Sequence, residues 1–230
     1  MSPDAPVDRS TPRFNLLFSN TELVIAILLG VVSIATAYAS FSASLYGGQM
    51  AGSYTTGQNL TTEAESLYLE ANQQYTLDSQ VWNQLSELAV EIDSTDATVA
   101  ALASEKYDTL YFQAVSPDFD AAIQRASDAN EADPTTYTSP LDDEDYQSSL
   151  FTPYAETQDK ATAAIAAGDD YNSLGDKLTL ATVLMAISLF LLGVAAVVRA
   201  QKVQFVLMGT AMVIFTGAMV LTVLIPFPGM

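Results

Sequence analysis

Four consecutive carboxylates, Asp142-Asp143-Glu144-Asp145, are the densest run of chemically active side chains in the sequence. Oxygen donors of this kind in a loop suit Ca²⁺, a hard cation that collects carboxylate and carbonyl ligands. The spacing departs from the EF-hand pattern, because no glycine stands where that loop must turn. A solvated acidic run is the other reading of the same residues. Beyond this cluster, composition limits the chemistry. The 230 residues include no Cys and no His. Thiol nucleophiles, disulfides, thiolate or imidazole metal ligands and histidine acid–base catalysis are therefore outside the reach of this chain. The 27 Asp and Glu allow many carboxylate pairs for general acid–base work, but no spacing selects one of them. No phosphate-binding loop, dinucleotide fingerprint or nucleophile elbow occurs.

The net charge of −19 is unevenly spread. Residues 46–177 hold 24 acids and four bases, Lys106, Arg125, Lys160 and Lys177, for a net −20. The rest of the chain is close to neutral. A nucleic-acid partner needs a basic face, which this segment lacks. The excess of acid resembles surfaces adapted to salt, where screening relieves self-repulsion. Cations at the acidic segment and bound lipid are the only ligands that the composition suggests; no cofactor is expected.

A second pattern lies in the apolar N-terminal part. Ala26, Gly30, Ser33, Ala37, Ser40, Ser44, Gly47 and Ala51 follow one another at alternating steps of four and three, and all are small. On a helix they form one stripe. Small side chains let helix backbones approach closely in lipid, where water drives no association between helices. The expected use is a tight helix–helix interface, within or between subunits. The alternative is a pore lined by the hydroxyls of Ser33, Ser40 and Ser44.

Three apolar runs must carry this pattern. Leu23–Leu45 is uncharged, and Leu178–Val198 and Val203–Ile225 follow the acidic segment. Each is long enough for a bilayer, which needs about 20 residues. None contains an ionisable side chain that would serve a proton relay or voltage sensor. Arg9 and Arg13 precede the first run, and Arg199 and Lys202 lie between the second and third. By the positive-inside rule both basic groups face the cytoplasm. The expected layout is residues 1–20 cytoplasmic, 21–45 spanning, 46–177 extracytoplasmic, 178–198 spanning, 199–202 a cytoplasmic turn, 203–225 spanning and 226–230 extracytoplasmic. Ala37-Tyr38-Ala39 imitates a signal-peptidase site, but the apolar run continues past it to Leu45.

The acidic segment reads as helical throughout. Leu60, Ala64, Leu67, Ala71, Val81, Leu85, Leu88 and Ile92 share a 4/3 seam that Gln74 and Asp78 interrupt with polar groups. No proline breaks the chain before Ile92, so a near-continuous helix from the first span is expected, with the glycines at 47, 48, 52 and 57 as weak points. Asp96 reads as a helix cap, and Ser116-Pro117 as a cap followed by proline at the first helical position. Residues 130–151 are expected to be an irregular tip, and Thr152-Pro153 the start of the descending helix. Ten of the 11 Tyr and the single Trp82 lie in or beside these helices. Tyr68, Tyr75, Trp82, Tyr107 and Tyr111 are expected in cores or subunit contacts, with sugar stacking as the minor alternative. Tyr46 and Tyr54 are expected in an interfacial belt. Asn59-Leu60-Thr61 is a glycosylation tripeptide close to the membrane.

The runs Ala35-Thr36-Ala37-Tyr38-Ala39-Ser40-Phe41, Gly47-Gly48-Gln49, Ala129-Asn130-Glu131-Ala132-Asp133 and Arg199–Lys202 together resemble a group of prokaryotic three-span membrane proteins with a helical ectodomain. The resemblance covers most of the chain; this sequence departs from it in being poor in Arg and rich in Asp and Thr. It implies an architecture and no activity. The fold expected is an all-α integral membrane protein, with an extracytoplasmic helical bundle continuous with spanning helices one and two. The function expected is a non-catalytic homo-oligomeric scaffold or accessory protein of the cell membrane, in contact with lipid and with other membrane proteins. A channel lined by the first span is the first alternative, and an ectodomain sensor the second.

Overall fold

The computed structural model describes residues 21–228. The expected cytoplasmic N-terminus, with Arg9 and Arg13, and the end of the C-terminal segment lie outside the described residues. Within them the chain is all-α, with no strand. The helices are α1 (Thr21–Ile92), α2 (Ala97–Ala114), α3 (Pro117–Ala132), α4 (Glu144–Val197) and α5 (Gln201–Leu224), with a 3-10 turn at Pro140–Asp142. Three of them, α1, α4 and α5, contain stretches long and apolar enough to cross a membrane.

Local chemistry sets the boundaries. No proline falls between Thr21 and Ile92, and α1 runs through all its glycines without a break. Several of its hydroxyls are tied to their own backbone: Ser33 donates to the Leu29 carbonyl (2.7 Å) and Thr36 to that of Val32 (2.7 Å). Asp96 caps α2 by accepting from the Thr98 and Val99 N–H groups. Ser116 caps α3, with Pro117 in the first turn where its missing N–H costs nothing. The descending helix differs from expectation. It begins at Glu144, nine residues before Pro153, which lies inside it. The Asp143 carboxylate accepts from the Tyr146 N–H at 2.8 Å, and Glu144 and Asp145 occupy the first turn. A carboxylate cap with acids at the positive end of the helix dipole outweighs the weaker Thr-Pro start. The irregular tip is correspondingly shorter, and Asn130 closes it. Its side chain accepts from the Thr138 N–H (2.7 Å) and donates to the Thr138 carbonyl (2.9 Å). At the hairpin, α4 ends at Val197 and α5 begins at Gln201, so Arg199 lies in the turn and Lys202 in the first helical turn.

The chain divides into two compact units. In the apolar unit, residues 21–53 and 166–228, three helices share a core of Val32, Ala39, Ala181, Met185, Leu192, Ala211 and Ala218. The buried positions step by seven on α1 (Ile25, Val32, Ala39, Tyr46), and by three and four on α4 (Leu178, Ala181, Met185, Ser188, Leu192, Ala195). This is the spacing of near-parallel, left-handed helix packing. The outward face carries Ile27, Val31, Ile34, Phe41, Phe190, Val206, Val213 and Val223, all exposed.

In the acidic unit, Tyr54–Ile165, α1 and α4 run antiparallel. Gly57 meets Ala161 and Ile165, Tyr68 meets Phe151 and Tyr154, and Asp78 meets Tyr146. At Gly57 a Cβ would lie 2.6 Å from the Ile165 side chain and 3.3 Å from the Ala161 carbonyl oxygen. Only glycine gives the pair this approach. Phe119, Ala122, Ile123 and Tyr146 form the core at the other end, with Tyr75, Trp82, Tyr111 and Leu150 against it.

Candidate functional site

The small-residue stripe is intact and faces outward. Ala26, Gly30, Ser33, Ala37, Ser40, Ser44 and Ala51 are exposed, and Gly47 is half-buried. A Cβ placed at Gly30, Gly47, Gly48 or Gly52 would meet nothing within 4 Å. The neighbours of α1 in the apolar unit are instead met by the Ile25, Val32, Ala39, Ser42 and Tyr46 face. Among the described residues, nothing packs against the glycines of the stripe. Of the three serines that would line a pore, Ser33 already donates its proton to Leu29 and has only lone pairs to offer.

The 4/3 seam beyond Leu60 has the opposite fate. Ala64, Ala71, Asp78 and Leu85 are buried, and Leu60, Leu67, Gln74, Val81, Leu88 and Ile92 are half-buried. This seam is covered within the chain, so it gives no argument for a second copy. Its polar interruption is a built node. Asp78 is 1 % exposed; its carboxylate accepts two bonds from the Gln74 amide (both 3.0 Å) and one from the Tyr146 hydroxyl (2.7 Å). Burial, and then the bond to Asp78, push the Tyr146 phenol well above its ordinary range. Tyr111 is raised by burial and by a short hydrogen bond to Asp120. These phenols remain protonated donors. Sequence reading marks Gln74 and Asp78 as the interruption but not their partner; a large buried phenol needs an acceptor, and that requirement was the available signal.

The acidic quartet does not act as one group. Asp143 receives two hydrogen bonds from Arg125, Nε to Oδ2 at 2.8 Å and Nη2 to Oδ1 at 2.6 Å, while it caps α4. Arg125 holds the Asp143 carboxyl down to about 2, against the effect of burial. Asp145 lies 3.9 Å from the same guanidinium, and Asp142 ends the 3-10 turn. Among the described residues no three acidic side chains are gathered to hold a metal ion. A fork-shaped Arg–carboxylate pair between α3 and the start of α4 is a structural clamp.

Aromatic positions divide similarly. Trp82 meets Phe119 edge-on, with ring centroids 6.4 Å apart, and Tyr107 stacks on Tyr111 at 5.9 Å. Tyr68 is 46 % exposed. Tyr46, expected at an interfacial belt, is buried in the apolar unit, where its hydroxyl donates to the Pro226 carbonyl at 2.7 Å. Asn59 is exposed but mid-helix, and the Thr61 hydroxyl of its tripeptide is bonded to Gly57. No family model, curated protein or solved structure matches the chain.

Proposed function

We propose that the chain is a multi-pass protein of the cell membrane that forms a homo-oligomer through the outward stripe of α1, and that it serves as a non-catalytic scaffold or accessory subunit. In this reading α1, α4 and α5 span the bilayer. The Arg199–Lys202 end and the basic N-terminus face the cytoplasm, and the acidic helices lie outside. Exposed Ile, Val and Phe around the apolar unit support insertion, because such a surface is stable in hydrocarbon and not in water.

One observation carries the oligomer. Gly30 lies on an exposed face of small residues, and among the described residues nothing comes within 4 Å of the space a side chain there would take. Glycine inside a helix costs about 1 kcal/mol relative to alanine, and close approach of a second helix is the gain that offsets it in a membrane. The test is the native mass of the lipid-nanodisc particle. The wild-type chain gives a multimer, and Gly30→Leu or Ser33→Leu gives smaller species. A monomeric wild type, or variants with unchanged mass, rejects the proposal.

The exposed Ser40 and Ser44 on that face favour a second reading, a pore around the oligomer axis. Single-channel conductance that Ser40→Leu abolishes selects the pore; a silent bilayer retains the scaffold.

A further inference from the structure

We propose that a recess on the α1/α4 pair of the acidic unit, lined by Thr61, Glu65, Tyr68, Leu69, Tyr154 and Gln158, binds a small organic ammonium cation. This proposal is independent of the oligomer.

The helix pair itself makes the recess. At Gly57 the two backbones are nearly in contact. Three turns further along α1, the half-exposed Tyr68 ring packs on Tyr154 and Phe151 of α4, with ring centroids 5.2 and 6.1 Å away. Between these two points Ala64, Thr157 and Ala161 are buried in the helix contact, and beside them the exposed Tyr68 and Leu69 border an open groove. Its volume is about 410 Å³, within the usual range for small-molecule sites.

The lining selects the ligand class. Tyrosine rings attract a cation that shows them an apolar, weakly hydrated surface, as alkylated ammonium groups do. Glu65 supplies the one formal charge among the lining residues. Gln158 and Thr61 add polar groups, and the Thr61 proton is already given to Gly57, so its oxygen is left as an acceptor. An anion is disfavoured by Glu65 and by the −20 of the segment around it. A bare divalent ion would need several oxygen ligands and would gain little from the rings. A neutral sugar would use the rings but not the charge.

The experiment titrates choline chloride into the full chain in phosphatidylglycerol nanodiscs, which carry no ammonium head group. Ionic strength is held constant with NaCl, and binding is followed by calorimetry and saturation-transfer NMR. Saturable binding is expected. Tyr68→Leu or Tyr154→Leu weakens it roughly tenfold, Tyr68→Phe retains it, and Glu65→Gln weakens it about fivefold. An unchanged circular dichroism spectrum and melting temperature for Glu65→Gln separate loss of the site from loss of the fold. The proposal fails if choline gives no response beyond that of NaCl, or if Glu65→Gln binds as the parent does. It also fails if methyl glucoside binds with choline's affinity, which would make the recess a sugar site. Equal binding of phosphocholine would overturn the free-cation reading in favour of lipid head groups.

Discussion

Along α1, the apolar and acidic units solve helix packing with different materials. In the apolar unit α1 buries Ile25, Val32, Ala39, Ser42 and Tyr46, and leaves a stripe of small residues outside. Its polar side chains turn mostly to their own helix, as Ser33, Thr36, Thr182 and Ser188 do. In the acidic unit α1 buries Gly57, Ala64, Ala71, Asp78 and Leu85, and Gly57 and Asp78 of this face meet α4. Polar groups there cross between elements: Tyr146 to Asp78, Tyr111 to Asp120, Arg125 to Asp143. Water can drive the second packing, because large rings such as Phe119 and Trp82 leave solvent when it forms. In the bilayer proposed for the first unit, hydrocarbon gives no such drive and shape must do the work. The difference between Gly57 and Gly30 follows. The first is needed by a contact on the same chain; the second is not.

The largest effect is expected at the buried node. Tyr146→Phe removes a donor from a carboxylate with no solvent to replace it, and should destabilise the acidic unit by about 2–3 kcal/mol. The double variant Asp78→Leu/Tyr146→Phe should recover part of that loss, because no buried charge is then left short of a donor and the half-buried Gln74 amide can turn to solvent. Chemical denaturation of the full chain, followed by Trp82 fluorescence, measures both. A double variant no more stable than the single one would mean that the node matters for shape and not for polarity.

Next is the glycine comparison. Gly57→Ala places a methyl against Ile165 and the Ala161 carbonyl, and should cost about 1–2 kcal/mol by the same assay. Gly30→Ala meets nothing in its own chain, and should leave this unfolding transition unmoved while weakening the multimer. Equal responses at the two glycines would erase the distinction between the units.

A smaller effect belongs to the tip. Asp143→Asn keeps an oxygen to cap α4 but loses the charge that Arg125 grips, and should cost at most about 1 kcal/mol. The wild-type carboxyl is depressed from an ordinary 3.8 to about 2. Its contribution is therefore complete above about pH 5 and lost as the pH falls towards 2. Acid titration of the melting temperature should show this loss in the parent and not in Asp143→Asn.

Much of the fold was legible because its signals are local. Asp96 and Ser116-Pro117 sit beside the N–H groups they cap, and the length of α1 follows from the absence of proline. The start of α4 was not legible. Thr152-Pro153 has the local form of a beginning, but Asp143 is held in place by Arg125, 18 residues away, and no window in the sequence contains both. The seam beyond Leu60 shows the same limit. Its period identifies the buried face, and only the antiparallel return of α4 shows that the partner belongs to the same chain. At the stripe of α1, spacing identified the small face, and the structure leaves its serines and most of its small residues exposed. The recess around Tyr68 left no trace in the sequence, since its lining residues come from two segments about 90 positions apart.

The bond between Tyr46 and the Pro226 carbonyl has a consequence in the order of synthesis. The two residues are separated by 180 positions, so on the ribosome the phenol exists long before its acceptor. Proline has no N–H with which to prolong α5, and Pro226 turns its carbonyl to Tyr46 after the helix has stopped at Leu224. Until then a buried hydroxyl on α1 waits for a partner. A chain released before that point would lack the acceptor that ties the middle of α1 to the segment after α5.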